Sequence, residues 1–155
     1  MSALPPQPSL PSSQAWHFQH PVRIYWEDTD AGGIVFYGNY LKFMERARTE
    51  WLSALGFTQE GLRHAGDGMF VVGETQLRYL KPARLDDLLT ITVRLEDIGR
   101  ASLGFSQEVW RGDTLLTQGR VRIGWVVPAG GELKPGRIPA QILAVLPTPS
   151  PIPGG

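Results

Sequence analysis

The sequence contains no cysteine. Disulfides, thiolate nucleophiles and thiolate metal sites are therefore excluded, and the composition fits a reducing compartment. A charge excess is missing too: 15 Lys and Arg balance 15 Asp and Glu. A nucleic-acid binder would carry a basic surplus, so no nucleic-acid partner is expected. No apolar run approaches the roughly 20 residues that cross a bilayer, so no membrane insertion is expected. The first fifteen residues, MSALPPQPSLPSSQA, have neither Lys nor Arg and no apolar core. They do not read as a secretory signal, and a cytoplasmic location is expected. No GxxxxGK(S/T) loop, GxGxxG fingerprint or GxSxG elbow occurs. Nucleotide-phosphate, dinucleotide and serine-hydrolase chemistries lose their usual sequence support.

Proline, serine and glycine crowd the two ends. Residues 1–15 and 147–155 read as disordered segments around one folded domain at 16–146. Five Trp, six Phe and four Tyr are available to its core. From Tyr40, apolar residues recur at Met44, Ala47, Trp51, Ala54 and Leu55. These steps of three and four put one apolar stripe on a helix. Gly38-Asn39 starts it, and Gly56 ends it in a left-handed conformation. A short second helix is expected over 58–64.

After Gly68 the period becomes two. The runs are Val71 to Tyr79, Leu89 to Leu95, Leu103 to Val109 and Leu115 to Val127. Clean alternation predicts antiparallel strands with one covered face. Val22, Ile24 and Trp26 suggest a further strand before the helix. One long helix covering an antiparallel sheet of about five strands is an α+β arrangement, the hotdog fold. The open edges of such a sheet predict a homo-oligomer, a dimer or a tetramer of dimers.

The chemistry concentrates in RIYWEDTDAGGIVFYGNYLKFMERARTEW, residues 23–51. Glu27, Asp28 and Asp30 precede Gly32 and Gly33, whose missing side chains permit a tight turn. Ile34, Val35, Phe36 and Tyr37 then lead through Gly38 into the helix. A carboxylate is thus held beside a helix N-terminus, where amide donors are unpaired and the dipole is positive. Such donors can hold a developing oxyanion while the carboxylate attacks a carbonyl or deprotonates water.

This stretch resembles the 4-hydroxybenzoyl-CoA thioesterase family, and within it the YbgC-type acyl-CoA thioesterases encoded beside the Tol–Pal envelope system. The resemblance continues through FVV at 70–72 and YLKPARLDD at 79–87. It implies a hotdog fold and hydrolysis of an acyl-CoA with a short, long or aromatic acyl group. By this resemblance Asp30, immediately before Ala31-Gly32, is the catalytic aspartate, acting as nucleophile or general base. The backbone N–H of Tyr37 polarises the thioester carbonyl. YbgC-type proteins commonly carry His at that position, whereas Tyr resembles the hydroxybenzoyl-CoA branch. A backbone role tolerates the change; an imidazole acid or base would be lost.

Gly32, Gly33, Ile34, Val35, Phe36 and Gly38 are the expected substrate contacts, with Lys81 and Arg84 for the coenzyme A phosphates. Arg100, Arg120 and Arg122 are further cations for that end. Coenzyme A enters as part of the substrate; no separate cofactor and no metal are expected. Asp28 and Glu27 are expected to cap the loop or lie in solvent, Glu45 to pair with an arginine, and the HxxH of His17 and His20 to be surface residues. Two other readings are a hotdog dehydratase or hydratase, and a non-catalytic adaptor for acyl carrier protein or Tol–Pal partners.

Overall fold

The structure, a computed structural model, describes residues 16–64 and 68–150. The expected disordered stretch 1–15 and residues 151–155 lie outside it. The strands are β1 (Phe18–Arg23), β2 (Met69–Tyr79), β3 (Leu88–Ile98), β4 (Ser102–Arg111), β5 (Thr114–Ala129) and β6 (Glu132–Pro135). The helices are α1 (Asn39–Ala54), α2 (Gln59–His64) and α3 (Ala140–Leu143). One antiparallel sheet runs β1-β3-β4-β5-β2, with β6 added to the far end of β5. Its core is that of an α+β hotdog fold: α1 lies against the sheet and the strands curve around it.

The local reasons are visible. α1 has no side-chain cap at Gly38. Its end is a Schellman motif: Gly56 has φ of 104°, Gly56 N–H donates to Ser53 carbonyl, and Phe57 N–H donates to Leu52 carbonyl. The apolar face of α1 buries Tyr40, Phe43, Met44, Ala47 and Trp51 against Leu89, Ile91, Val93, Leu95, Leu103 and Phe105. Trp51 meets Phe105 edge to face at 5.4 Å. Arg48, charged though it is, is only 8% exposed. Its Nη1 donates to Gln107 Oε1 at 2.8 Å, and Gln107 Nε2 donates to the Met44 and Thr92 carbonyls. Desolvation lowers the Arg48 pKa, and Glu45 opposes that fall.

Several sequence expectations need correction. Among the described residues the sheet has one strand beyond the five read from the sequence: Gly130 and Gly131, with φ of 60° and 84°, turn β5 into a four-residue β6. β1 ends before Ile24, and Trp26 sits in a 3-10 turn, 79% exposed. A bulge at Gly73 resets the phase of β2, so Phe70 and Val72, rather than Val71, share the face of Thr75 and Leu77. The outer sheet face is also covered in part: Thr92 and Arg94 are buried, and Trp16 stacks 4.6 Å over the Arg94 guanidinium. The tail expected to be disordered from 147 is fastened as far as Ser150, whose N–H donates to the Leu95 carbonyl.

Candidate active site

Residues 28–36 form a small β-hairpin. Asp30 N–H donates to Ile34 carbonyl, Gly33 N–H to Asp30 carbonyl, and Thr29 bridges Val35. Gly33 has φ of 77°, the left-handed residue that closes a three-residue hairpin loop. The Asp30 side chain folds over this tip: its Oδ1 accepts the Gly32 N–H at 2.8 Å and the Ile34 N–H at 3.4 Å. A Cβ on Gly32 would lie 3.3 Å from that oxygen, so glycine leaves the carboxylate its place. Asp30 is exposed, and its Oδ2 has no hydrogen-bond partner among the described residues.

The hairpin is anchored at its base. Phe36 N–H and the Asn39 amide both donate to the Asp28 carbonyl, at 3.0 and 2.9 Å. Asp28 itself is 9% exposed, and its Oδ2 accepts the Tyr25 N–H at 2.8 Å, which makes it a cap. On the other side Val35 N–H donates to Ala83 carbonyl and Ile34 bridges Arg84. The hydroxyl of Tyr40, on α1, accepts the Ala83 N–H at 3.1 Å. Hairpin, helix start and the 80–87 turn are therefore one unit.

At the start of α1, the N–H groups of Tyr37 and Gly38 have no acceptor among the described residues. Two hydrogen bonds orient the peptide planes that carry them. Asn39 N–H donates to the Phe36 carbonyl at 2.9 Å, and the Tyr79 hydroxyl donates to the Tyr37 carbonyl at 2.9 Å. The Tyr79 ring also meets Tyr37 and Tyr40 edge to face. Burial, then the phenols of Tyr40 and Tyr37, push the Tyr79 hydroxyl above its ordinary pKa, so it stays a donor. Tyr79 was visible in the sequence only as the last residue of an alternating strand, and nothing there signalled its hydroxyl. Free amide donors in the segment that directly follows a half-free carboxylate's hairpin are parts that acyl transfer to water can use.

The remaining candidates are scattered. Phe36 and Tyr37 are exposed, Val35 is buried, and the Phe36 ring comes within 3.0 Å of a Cβ built on Gly38. Lys81 and Arg84 are both exposed; Arg84 N–H donates to Asp87 Oδ2 at 2.8 Å, within the turn. Arg122 forks onto both oxygens of Asp97 at 2.9 Å, and Arg120 lies 3.8 Å from Glu96, both on the outer sheet face. Glu45 accepts the Thr49 hydroxyl instead of an arginine. His17 Nδ1 accepts the Leu95 N–H at 2.9 Å and fastens the lead-in to β3. Among the described residues no group of three His, Asp or Glu is arranged to hold a metal, and no helix is long and apolar enough to cross a membrane.

A family model described as the thioesterase superfamily matches residues 32–118, which include the glycines of the hairpin and all of α1. The chain belongs to this superfamily. It is 39% identical over 127 residues to "Acyl-CoA thioesterase YbgC" of Haemophilus influenzae, across 82% of this chain and 92% of that protein. It is 41% identical over 128 residues to "Acyl-CoA thioester hydrolase YbgC" of Escherichia coli O6:H1, across 82% and 93%. Among solved structures, a hypothetical protein of Aquifex aeolicus superposes with a TM-score of 0.78 at 30% identity, over 84% of this chain and 99% of that one.

Proposed function

We propose that this thioesterase-superfamily chain hydrolyses acyl-CoA thioesters to a free acid and coenzyme A, with Asp30 as the catalytic carboxylate. The observation that carries the reading is a half-free Asp30 on a hairpin whose base is tied, through the Asp28 carbonyl, to the helix start with its unpaired amides. Asp30 Oδ2 attacks the carbonyl carbon and forms a mixed anhydride that water opens, or it takes a proton from a water that attacks directly. In both routes the carbonyl oxygen gains charge against the Tyr37 N–H, and the carbon–sulfur bond breaks to release a thiolate. A thiol has a pKa of about 8.5, so the sulfur leaves without a general acid. Gly32, Gly33, Ile34, Val35, Phe36 and Gly38 frame the acyl end, and coenzyme A enters only as substrate.

Asp30→Asn keeps the Oδ1 contacts to Gly32 and Ile34 and removes the charge. Its kcat/KM on a panel of short, long and aromatic acyl-CoAs should fall by about 10² to 10⁴. Wild-type turnover in this variant would end the assignment. The panel also identifies the preferred acyl group.

The same proposal includes a homo-oligomer. Among the described residues β2 pairs with β5 alone, and Val71 and Val72 on it are 37% and 54% exposed, an edge suited to a second copy. Sedimentation equilibrium separates monomer, dimer and tetramer. A cytoplasmic site of action beside the Tol–Pal system, with acyl carrier protein as an alternative acyl carrier, follows only from the YbgC-type resemblance. Complementation of a deletion by wild type but not by Asp30→Asn would support it.

A further inference from the structure

We propose that the cavity between β1 and α1 is an anion site for phosphate groups, and that its occupant is the phosphate-bearing nucleotide end of the coenzyme A substrate. The proposal rests on the acyl-CoA reading above. The cavity has a volume of about 240 Å³ and is lined by His20 and Arg23 of β1, Tyr25, Glu27 and Asp28 of the 3-10 turn, and Arg46 of α1.

Counting formal charge makes this lining look neutral, but its hydrogen-bonding capacity is not. One oxygen of the Asp28 carboxylate accepts the Tyr25 N–H, and Glu27, also in the lining, is exposed to solvent. The side chains of Arg23, Arg46 and His20 have no hydrogen bond or ion pair among the described residues. Two arginines and a histidine without side-chain partners thus line one hollow, beside Glu27 and Asp28. That donor set matches the oxygens of a phosphate, which accept bidentately from arginine. The outer-face arginines differ, since Asp97 holds Arg122 and Glu96 faces Arg120.

Two observations favour a nucleotide over a bare inorganic ion. Tyr25 and Trp26 expose 58% and 79% of their surface beside the cavity, and aromatic faces are where a base can lie. Asp28 also belongs to both sites: its side chain lines the cavity, while its carbonyl holds Phe36 and Asn39 at the foot of the catalytic hairpin. One ligand can touch both ends of this rigid unit. Burial lowers the pKa of His20, Glu50 raises it and Arg46 lowers it again. A phosphate seated among Arg23, Arg46, Glu27, Asp28 and Glu50 would draw a proton onto the ring and add a third donor.

The test has two arms on the full-length protein. In the first, the His20 ring signals, assigned with His20→Gln, are followed by NMR while inorganic phosphate or adenosine 3′,5′-bisphosphate is added. Both should shift the ring and raise its titration midpoint, the bisphosphate at lower concentration. In the second, Arg23→Gln and Arg46→Gln are assayed on an acyl-CoA and on the same acyl group carried by N-acetylcysteamine, which has no phosphate. The ratio of kcat/KM values, CoA over N-acetylcysteamine, should fall about tenfold or more, through KM. A ring that responds to phosphate with an unchanged ratio would mean a free phosphate ligand and would overturn the coenzyme A occupant. A ring that responds to neither probe would overturn the anion site itself. If wild type turned over neither thioester, the acyl-CoA reading would fail, while the NMR arm would still decide the site.

Discussion

Removing a single hydroxyl tests how the start of α1 is held. In Tyr79→Phe the ring remains, and with it the edge-to-face contacts to Tyr37 at 6.4 Å and Tyr40 at 5.5 Å. What disappears is the 2.9 Å hydrogen bond to the Tyr37 carbonyl. Tyr79 is 46% exposed, so water replaces the lost donor. The stability cost should therefore sit at the low end for a hydrogen bond, about 0.5 kcal/mol. The catalytic cost should be larger, because the peptide joining Tyr37 to Gly38 is freed to rotate: it carries the Gly38 N–H, the second free donor at the helix start, and its motion loosens the Tyr37 N–H one peptide away. Deleting an oxyanion donor outright costs about 10² to 10³ in rate. A loosened donor should cost about tenfold, near 1.4 kcal/mol of transition-state stabilisation. Steady-state kinetics should show kcat down about tenfold with KM little changed, and urea unfolding a shift below about 1 kcal/mol. A kcat within twofold of wild type would refute the positioning role. So would a loss of activity that merely tracked the unfolded fraction.

Gln107→Leu removes the acceptor of the buried Arg48 guanidinium and should destabilise the fold by about 3 kcal/mol in chemical denaturation. Arg48→Met combined with Gln107→Leu should recover much of that loss, because no buried charge is then left unpaired. Gly33→Val should cost about 1–2 kcal/mol from backbone strain alone, since φ is 77° and a Cβ there meets nothing within 4 Å. For pH, burial and then Arg94 depress the His17 pKa below its ordinary 6.5. The unfolded chain therefore takes up the proton first, so this contribution to stability is present above pH 6.5 and drains away as the pH falls toward the folded value. His17→Asn should flatten that slope in unfolding curves measured across the window.

Much of this fold was legible because its signals are local. The stripe from Tyr40 to Trp51, closed by Gly56, can satisfy its burial only as a helix, and the runs in β3 and β5 alternate without interruption. What escaped depends on partners distant in sequence. Arg48 reads as a wet-face residue until Gln107, 59 positions on, meets it under the helix. β6 has four exposed residues and no apolar rhythm, so only its pairing to β5 reveals it. In β2 the bulge at Gly73 undoes a phase that simple alternation assigns to Val71. At the site, the acid-glycine hairpin was legible because Gly32 and Gly33 mark a tight tip. The Tyr79 hydroxyl and the unpaired arginines of the β1 cavity were not, because pairing is a tertiary fact.

The fastening of His17 and Ser150 to one point of β3 has a practical consequence. His17 N–H donates to the Val93 carbonyl, the Leu95 N–H donates to His17 Nδ1, and Ser150 N–H donates to the Leu95 carbonyl. Residues 17 and 150 are therefore neighbours, at the edge of the sheet opposite β2. A short linker can join them without crossing the hairpin or the open β2 edge, and new termini can be cut at the Gly112-Asp113 turn between β4 and β5. A circular permutant that joins His17 to Ser150, without residues 1–16 and 151–155, should fold and keep its activity.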